Sequence, residues 1–313
     1  MTSMSFANGG SSVKFFVLVF ALSLPLWLIG AVARGELMPG LPVSSLMAFC
    51  PLAAAVILVY GEGQSDSVIE LLKRSFDYGR IRAKVWYVPT VLLMPGIAIL
   101  AYGVMRVMKF PLPAPRFPGV AVLVMFVAFF IAGLGEELGW SGYAIDPLQQ
   151  RWGALRASIL LGVVWAVWHI VPFVQADRSA AWIAWQCLTL AASRVLLVWL
   201  YNNTGKSVFA VAVCHAMINV SWQLFPNQGS HYDPRITGLI TALAAAMVTV
   251  LWGPGTLARS RNDSLAPPEQ DSPGSASHML VACPPERFAT LNAFEALTQA
   301  SRGGRPRLEE DGR

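Results

Sequence analysis

The sequence predicts an all-α protein, a polytopic membrane bundle of about eight transmembrane helices, and two observations lead to that prediction. Hydrophobic residues make up 55% of the 313 residues and charged residues only 13%, with a mean hydropathy of +0.53, whereas soluble domains carry roughly 25% charge. Continuous apolar stretches close to the ~20 residues that cross a bilayer occur at 14–32, 42–60, 86–108, 118–135, 157–174, 180–201, 207–225 and 236–252. A membrane β-barrel would show shorter segments of alternating polarity, so helices are favoured.

Composition divides the chain into three parts. Residues 1–13 form a polar N-terminal leader, residues 14–253 a transmembrane domain, and residues 254–313 a mostly disordered cytoplasmic tail rich in Pro, Ser, Gly and charged residues. The first apolar stretch has no clear small-residue cleavage site behind it, which favours a retained anchor over a removed signal peptide. Within the tail, apolar residues recur at helical spacing over 287–300 and predict one short helix.

Basic residues predict the orientation in the membrane. The positive-inside tendency places the segment 61–84 in the cytoplasm, because it contains Lys73, Arg74, Arg80, Arg82 and Lys84. Eight spans put both termini on the same side, so we expect a multi-pass protein of a bacterial cell membrane with both termini cytoplasmic. The loop 109–116 and Arg106 together carry three basic residues on the opposite side, which argues against this orientation.

Charge and cysteine content exclude two other classes of site. The formal net charge of +5 is accounted for by the loops and the tail, and no basic groove interleaved with aromatic residues appears, so nucleic acid is not an expected partner. The four cysteines show no CxxC or paired spacing. They indicate small buried hydrophobes, not a disulfide framework or a cysteine zinc site.

Polar side chains interrupt three of the apolar segments. Glu136 and Glu137 follow the fourth stretch directly, His169 lies within the fifth, and His215 precedes Asn219 by four residues in the seventh. Residues four apart share one face of a helix, so His215 and Asn219 can converge on one point. A titratable side chain at membrane depth costs a few kcal/mol at least and therefore predicts a functional site.

These residue types suit hydrolysis inside a membrane, which needs a base for water, a donor for the oxyanion and a polar cavity. Two adjacent carboxylates repel at low dielectric, so one of them should take up a proton unless a cation or metal compensates, and that suits Glu136 as a base. Glu136, His169 and His215 are also competent ligands for zinc or another divalent metal, although the HExxH spacing of zinc proteases is absent.

In these segments the chain resembles the CPBP family of intramembrane proteases, which includes type II CAAX prenyl proteases and bacteriocin-processing and abortive-infection relatives. The family pattern is Glu-Glu with an Arg four residues after the second Glu, then an aromatic residue with His four residues on, then His with Asn or Asp four residues on. Glu136-Glu137, Trp165 to His169 and His215 to Asn219 match in order, and the resemblance covers roughly 117–222.

The resemblance implies an eight-helix bundle with a conical cavity, acting as an intramembrane endopeptidase of the metalloprotease type. Glu136 would activate water, Glu137 would orient the site, His169 and His215 would hold the water or a zinc ion, and Asn219 would donate to the oxyanion. Eukaryotic members of the family remove the last three residues of prenylated CAAX proteins. The expected partners are membrane lipids and a membrane-associated peptide or protein substrate.

One departure from the pattern leads to a prediction about Arg194. Ser141 stands where the motif has its arginine, so the cation that would pair with Glu137 is missing. Arg194 lies in the middle of the apolar stretch 180–201 and needs a partner of its own. We therefore predict that Arg194 reaches the carboxylate pair from another helix.

Other interpretations remain open at the level of sequence. The carboxylates could be charges at a helix end in the membrane interface, and His215 and Asn219 could be interhelical hydrogen bonds worth about 0.6 kcal/mol each. The missing arginine favours a non-catalytic peptide-binding or self-immunity protein of the same fold. A proton-linked transporter is a further alternative, but we find neither inverted halves nor matching broken helices.

Overall fold

The structure is a computed structural model of the chain and describes residues 10–62, 65–114 and 119–258. Residues 1–9 of the predicted leader and residues 259–313 of the predicted tail lie outside the described residues, as does the predicted helix at 287–300. The described helices are α1 (Gly10–Ala33), α2 (Cys50–Gly61), α3 (Ser65–Lys73), α4 (Tyr87–Val107), α5 (Gly119–Gly139), α6 (Ile145–Trp152), α7 (Ala154–Trp168), α8 (Ile170–Gln175), α9 (Ala180–Asn203), α10 (Val208–Leu224) and α11 (Pro234–Trp252).

The protein is an all-α, multi-pass membrane protein, as predicted. In the described residues, seven helical segments are long and apolar enough to cross a membrane. The predicted span at 207–225 corresponds to α10, which is apolar but has only 17 residues. Two amphipathic helices that the hydropathy pattern did not predict, α3 and α6, lie beside the spans.

Short non-helical and 3-10 segments join the spans. A small antiparallel hairpin of β1 (Glu36–Met38) and β2 (Leu41–Pro42) follows α1, with Glu36 paired to Pro42 and Met38 to Leu41. The 3-10 helix Val43–Phe49 then leads into α2. Because α5 packs on α2 and α10 while α9 packs on α7, the polar residues predicted from sequence lie on neighbouring helices.

The start of α10 shows how polar groups fix a helix end inside the bundle. The Ser207 hydroxyl accepts a hydrogen bond from the Ala210 N–H at 3.2 Å, and the Asp77 carboxylate accepts from Val208 and Phe209 N–H at 3.3 and 3.0 Å. A carboxylate at a helix N-terminus satisfies N–H groups that have no partner within the helix and complements the helix dipole. This cap sets the position of His215 two turns further along α10.

Residues just beyond the predicted domain boundary at 253 pack against the bundle. The Gly255 carbonyl accepts from Ala154 N–H at 2.8 Å and the Pro254 carbonyl accepts from Leu155 N–H at 3.0 Å. These bonds satisfy the first N–H groups of α7. Since Leu257 is also fully buried, the packed part of the chain extends at least to this residue.

Glycines allow α5 to approach its neighbours closely. A Cβ at Gly135 would lie 2.8 Å from the Ala48 carbonyl oxygen, and a Cβ at Gly139 would lie 2.5 Å from that of Pro51. Both neighbours are backbone atoms, which cannot move aside as a flexible side chain can. The close approach brings the end of α5, with its two carboxylates, against the 3-10 helix Val43–Phe49 and the start of α2.

Gly139→Ala is expected to lower the free energy of unfolding by about 1–3 kcal/mol, because the added methyl group forces the two backbones apart. Gly103→Ala on α4 is the matched control, since a Cβ there meets nothing within 4 Å. Denaturant unfolding of both variants in detergent micelles measures the difference. Equal stability of the two variants would contradict the close-packing argument.

Candidate active site

Glu136 and Glu137 lie in the last turn of α5, directly before a π-helical turn at Trp140–Ala144. Both are inside the bundle, with exposed fractions of 5% and 0%. This burial contradicts the interpretation of the pair as charges in the membrane interface. Adjacent residues on a helix point about 100° apart, so the two carboxylates face different surroundings.

Glu137 is enclosed by three hydrogen-bond donors. Arg194 Nη1 lies 3.0 Å from Glu137 Oε1 and 2.8 Å from Oε2, His215 Nδ1 lies 2.9 Å from Oε1, and the Ser141 hydroxyl donates to Oε2. The predicted contact between Arg194 and the carboxylate pair is therefore present, and it is made to Glu137. Ser141 occupies the position of the motif arginine and contributes a neutral hydrogen bond while α9 supplies the cation.

Trp165 connects this ion pair to the other carboxylate. Its indole Nε1–H donates to Glu136 Oε2 at 2.7 Å, and the Arg194 guanidinium carbon lies 4.3 Å from the centre of its ring. The cation–π contact compensates part of the desolvation of Arg194, whose Nε and Nη2 have no hydrogen-bond partner among the described residues. Trp165, the aromatic residue of the second motif, is thus part of the site through its indole N–H.

His215 lies between the two carboxylates. Its Nδ1 faces Glu137, while its Nε2 lies 3.8 Å from Glu136 Oε1, beyond hydrogen-bond distance. A carboxylate held by a guanidinium can only accept, so Nδ1 carries a hydrogen. The hydrogen bond to Glu137 fixes the ring and leaves Nε2 directed toward Glu136.

His169 lies at the junction of α7 and α8. Its Nδ1 lies 2.8 Å from the Trp165 carbonyl oxygen, and because a carbonyl only accepts, this nitrogen donates. The ring packs edge-on against Trp165 and Trp168 and is nearly parallel to Phe173. These contacts hold the imidazole in one orientation and leave Nε2 as its second polar atom.

Four of the predicted site residues line one cavity of about 180 Å³, namely Glu136, His169, His215 and Asn219. The Asn219 amide has no hydrogen-bond partner within the described parts of the chain, so it is available to a bound molecule. Glu137 and Arg194 lie behind the cavity wall and are not among its lining residues. The structure therefore brings together all of the predicted site residues. Four of them line the cavity, and Glu137 and Arg194 lie behind those four.

A protein metal site needs at least three donor side chains that converge on one point. Among the described residues, no group of three His, Cys, Asp or Glu side chains comes together in a way that could hold a metal ion. The Nδ1 atoms of His169 and His215 both donate to protein acceptors, which leaves Nε2 of each ring as the nitrogen that a metal could use. The described residues do not come together as a three-ligand site in this arrangement, and the zinc assignment stays a prediction.

Sequence reasoning missed two polar contacts of this site. The indole N–H of Trp165 holds Glu136, and the Ser141 hydroxyl holds Glu137. Trp165 lies four residues before His169, the same spacing as His215 and Asn219, and that regularity could have indicated a shared face. Ser141 lies four residues after Glu137 and was noted only as the absence of an arginine.

Comparisons with known proteins agree with this site. A family model described as "Type II CAAX prenyl endopeptidase Rce1-like" matches residues 118–221, the segment that contains Glu136, His169, His215 and Asn219. The chain is also similar to a protein of Methanococcus maripaludis named "CAAX prenyl protease 2", with 25% identity over 264 residues, covering 75% of this chain and 92% of the relative.

The two matches support a peptidase of the CAAX type. The matched segment contains all three motifs on the helices that form the cavity, and the similarity to the archaeal protein extends over most of both chains. The chain is therefore similar to type II CAAX prenyl endopeptidases over the segment that carries the site.

Proposed function

We propose that the protein is an intramembrane endopeptidase that hydrolyses a peptide bond of a membrane-associated peptide or protein with a water molecule activated by Glu136. The observation that carries the proposal is the convergence of Glu136, His169, His215 and Asn219 on one cavity inside the bundle. Burial raises the strength of each electrostatic interaction with a developing charge in such a cavity.

Glu136 is the proposed general base. Its Oε2 is occupied by the Trp165 N–H, while Oε1 faces the cavity side of His215 at a distance too long for a direct hydrogen bond. A water molecule near Oε1 would give its proton to the carboxylate and attack the peptide carbonyl carbon. Glu136 would then pass that proton to the leaving amine, so that the water supplies OH to one product and H to the other.

Asn219 is the proposed donor to the oxyanion of the tetrahedral intermediate, and His215 and His169 are the proposed holders of the attacking water through Nε2. The Asn219 amide has no protein partner within the described residues and can donate to the oxyanion. His215 would hold the water through Nε2 while Glu137 fixes the ring. Donors oriented before the reaction need no rearrangement as charge develops, which is the main source of such stabilisation.

The missing motif arginine was the one feature that favoured a non-catalytic peptide-binding or self-immunity protein. The motif arginine is absent from the expected position, but Arg194 of α9 provides a guanidinium to the same carboxylate. The charge balance of the site is therefore retained. We infer a working hydrolase in place of a peptide-binding relative.

The basic segment between α2 and α4 supports a proposed orientation with this segment and both termini in the cytoplasm of a bacterial cell. Arg74 is partly buried here and donates to the Gly142 and Lys206 carbonyls, whereas Arg80 and Lys84 carry exposed charge. Labelling of a cysteine introduced at Lys84 from one side of sealed vesicles tests the orientation.

Cleavage of membrane-tethered peptides by the purified protein tests the proposed function. His169→Ala is expected to lower kcat/KM by about 100-fold or more, the typical contribution of a positioned acid–base or oxyanion group. His231→Ala is the matched control, because His231 lies in the loop before α11 and does not line the cavity. Equal loss in both variants, or unchanged cleavage in His169→Ala, would contradict the assignment.

Elemental analysis of the purified protein tests the metal separately. One equivalent of zinc in the wild type that is lost in His169→Ala would support the zinc prediction. A metal-free preparation that cleaves at the full rate would overturn it.

A further inference from the structure

One segment outside the cavity contacts both the end of α5 and the start of α10. It consists of α3 and the 3-10 helix Arg74–Phe76, which lie between α2 and α4. None of its residues is among those that line the cavity of Glu136. Its basic residues follow the positive-inside tendency, but that tendency concerns charge exposed at the membrane surface and does not explain an arginine that turns into the bundle.

The guanidinium of Arg74 joins three parts of the bundle. Its Nη1 donates to the Gly142 carbonyl at 2.7 Å, and its Nη2 donates to the Tyr201 hydroxyl at 2.8 Å and to the Lys206 carbonyl at 2.9 Å. The side chain is only 13% exposed. Hydrogen bonds from a charged donor are roughly twice as strong as neutral ones. Arg74 therefore ties the turn after α5 to the end of α9 and to the loop before α10.

Gly142 lies in the π-helical turn Trp140–Ala144, which directly follows the two carboxylates. Such turns are rare within helices and occur frequently at functional sites. A Cβ at Gly142 would lie 3.1 Å from Leu71 Cδ1, so the turn packs against α3 in addition to its hydrogen bond from Arg74. Because Leu71 is only 1% exposed, the segment holds the turn through an apolar contact as well as a polar one.

The π-helical turn also carries Ser141, whose hydroxyl donates to Glu137 Oε2. Glu137 in turn accepts from His215 Nδ1 at 2.9 Å, and this bond fixes the imidazole ring. A displaced turn would move the Ser141 hydroxyl and release the Glu137 carboxylate. His215 would then lose its fixed orientation, with Nε2 no longer directed toward Glu136. A chain of hydrogen bonds and adjacent backbone thus connects Arg74 with the water-activating carboxylate.

Asp77, three residues after Arg74, holds the helix that carries His215. Its carboxylate accepts from the Ser207 hydroxyl at 2.7 Å and from the first N–H groups of α10, and it lies 3.8 Å from Arg74 Nε. Two side chains of one short segment therefore hold the end of α5 and the start of α10. The relative position of the carboxylates and the imidazole depends on this segment.

We propose that Arg74 is a positioning residue of the catalytic site, which aligns Glu136 with His215 by holding the π-helical turn and touches neither the substrate nor the reacting water. The inference rests on the proposed function, because it concerns the same site. A lysine ammonium is a compact charge on a flexible stem and cannot donate from two fixed nitrogens to separate parts of the bundle. The geometry at this position therefore requires an arginine.

Cleavage of a membrane-tethered peptide by Arg74→Met and Arg74→Lys tests this role. We expect kcat to fall about 10- to 100-fold in both variants while KM changes by less than about twofold, because the catalytic groups are misplaced but the cavity wall is intact. Arg82→Met is the matched control and should keep the wild-type kcat, because Arg82 is exposed on the same side of the bundle and does not line the cavity. A change in KM alone would contradict a positioning role.

Nitrogen-15 NMR of labelled histidine in micelles separates this inference from the proposed function. The chain has only four histidines, so the signals can be assigned by single replacements. We expect the Nδ1 signal of His215 to shift in both Arg74 variants, whereas the signals of His231, in the loop before α11, should stay. This comparison needs no cleavage, so shifted His215 signals in a protein that cleaves no peptide would sink the endopeptidase proposal and leave the positioning role standing.

An unchanged His215 signal would overturn the positioning role at any cleavage rate, and a shifted signal with a wild-type kcat would overturn it while the endopeptidase proposal stands. If Arg74→Met loses the signals of a folded protein, Arg74→Lys decides by the same two measurements. Arg74→Lys with wild-type kcat and wild-type histidine signals would show that a charge alone suffices, and would also overturn the inference.

Discussion

Glu136→Gln is expected to lower kcat/KM for peptide cleavage by about 10²- to 10⁴-fold, the contribution of a positioned general base. Glutamine has nearly the same shape and its amide oxygen can still accept from the Trp165 N–H, so the fold should persist while the carboxylate that removes the water proton is lost. The loss should appear mainly in kcat, because substrate binding relies on other residues of the cavity.

The control for this experiment is Glu70→Gln on α3. Glu70 is exposed and pairs with Lys73, its one ion-pair partner among the described residues, so its replacement should leave cleavage unchanged. Both proteins are compared with the same membrane-tethered peptide under single-turnover conditions, which isolate the chemical step. A Glu136→Gln protein that retains the wild-type rate would remove the general base from the proposed mechanism.

Arg194→Met is expected to destabilise the protein by about 3–5 kcal/mol, because it leaves the Glu137 carboxylate buried without its cation. The pair is completely buried, with Nη1 2.8 Å from Glu137 Oε2 and exposed fractions of 0% for both side chains. A released or protonated Glu137 would no longer hold His215 in one orientation, so cleavage should also fall.

Two further variants check this prediction. The double variant Glu137→Gln with Arg194→Met should lose less stability than the sum of the single variants, because removing both charges leaves no uncompensated one. Arg235→Gln is the control for removing an arginine, since its pair with Asp233 lies at the surface and should contribute little. Additive single-variant losses, measured by denaturant unfolding in micelles, would show that the two charges do not act as a pair.

The spans could be predicted because hydropathy is a local property of the chain. Each of the eight predicted apolar stretches overlaps at least one helix of the bundle. The amphipathic helices α3 and α6 were missed, because nine and eight residues are too short for a window that detects membrane spans. The end of α5 and the π-helical turn after it were also missed, since close packing at Gly139 decides them.

The site residues could be predicted in kind but only partly in role. Glu136, His169, His215 and Asn219 are recognisable as polar groups within apolar segments, and their spacing resembles that of a known family. The hydrogen bond of Trp165 to Glu136 could not be derived from hydropathy, because a buried indole in a helix is most often packing.

The sequence by itself determined an all-α membrane protein and the small set of polar side chains that the membrane would tolerate only with partners. It did so because helix length, hydropathy and four-residue spacing are all defined by neighbouring residues. The sequence also predicted that Arg194 reaches the carboxylate pair. Only the tertiary structure decided that Glu136 faces the cavity and that Glu137 is the carboxylate that pairs with Arg194, across 57 residues of chain. These pairings depend on which helices pack together, because interhelical contacts in a membrane are set by close fit and hydrogen bonding and not by the apolar pattern of any one helix.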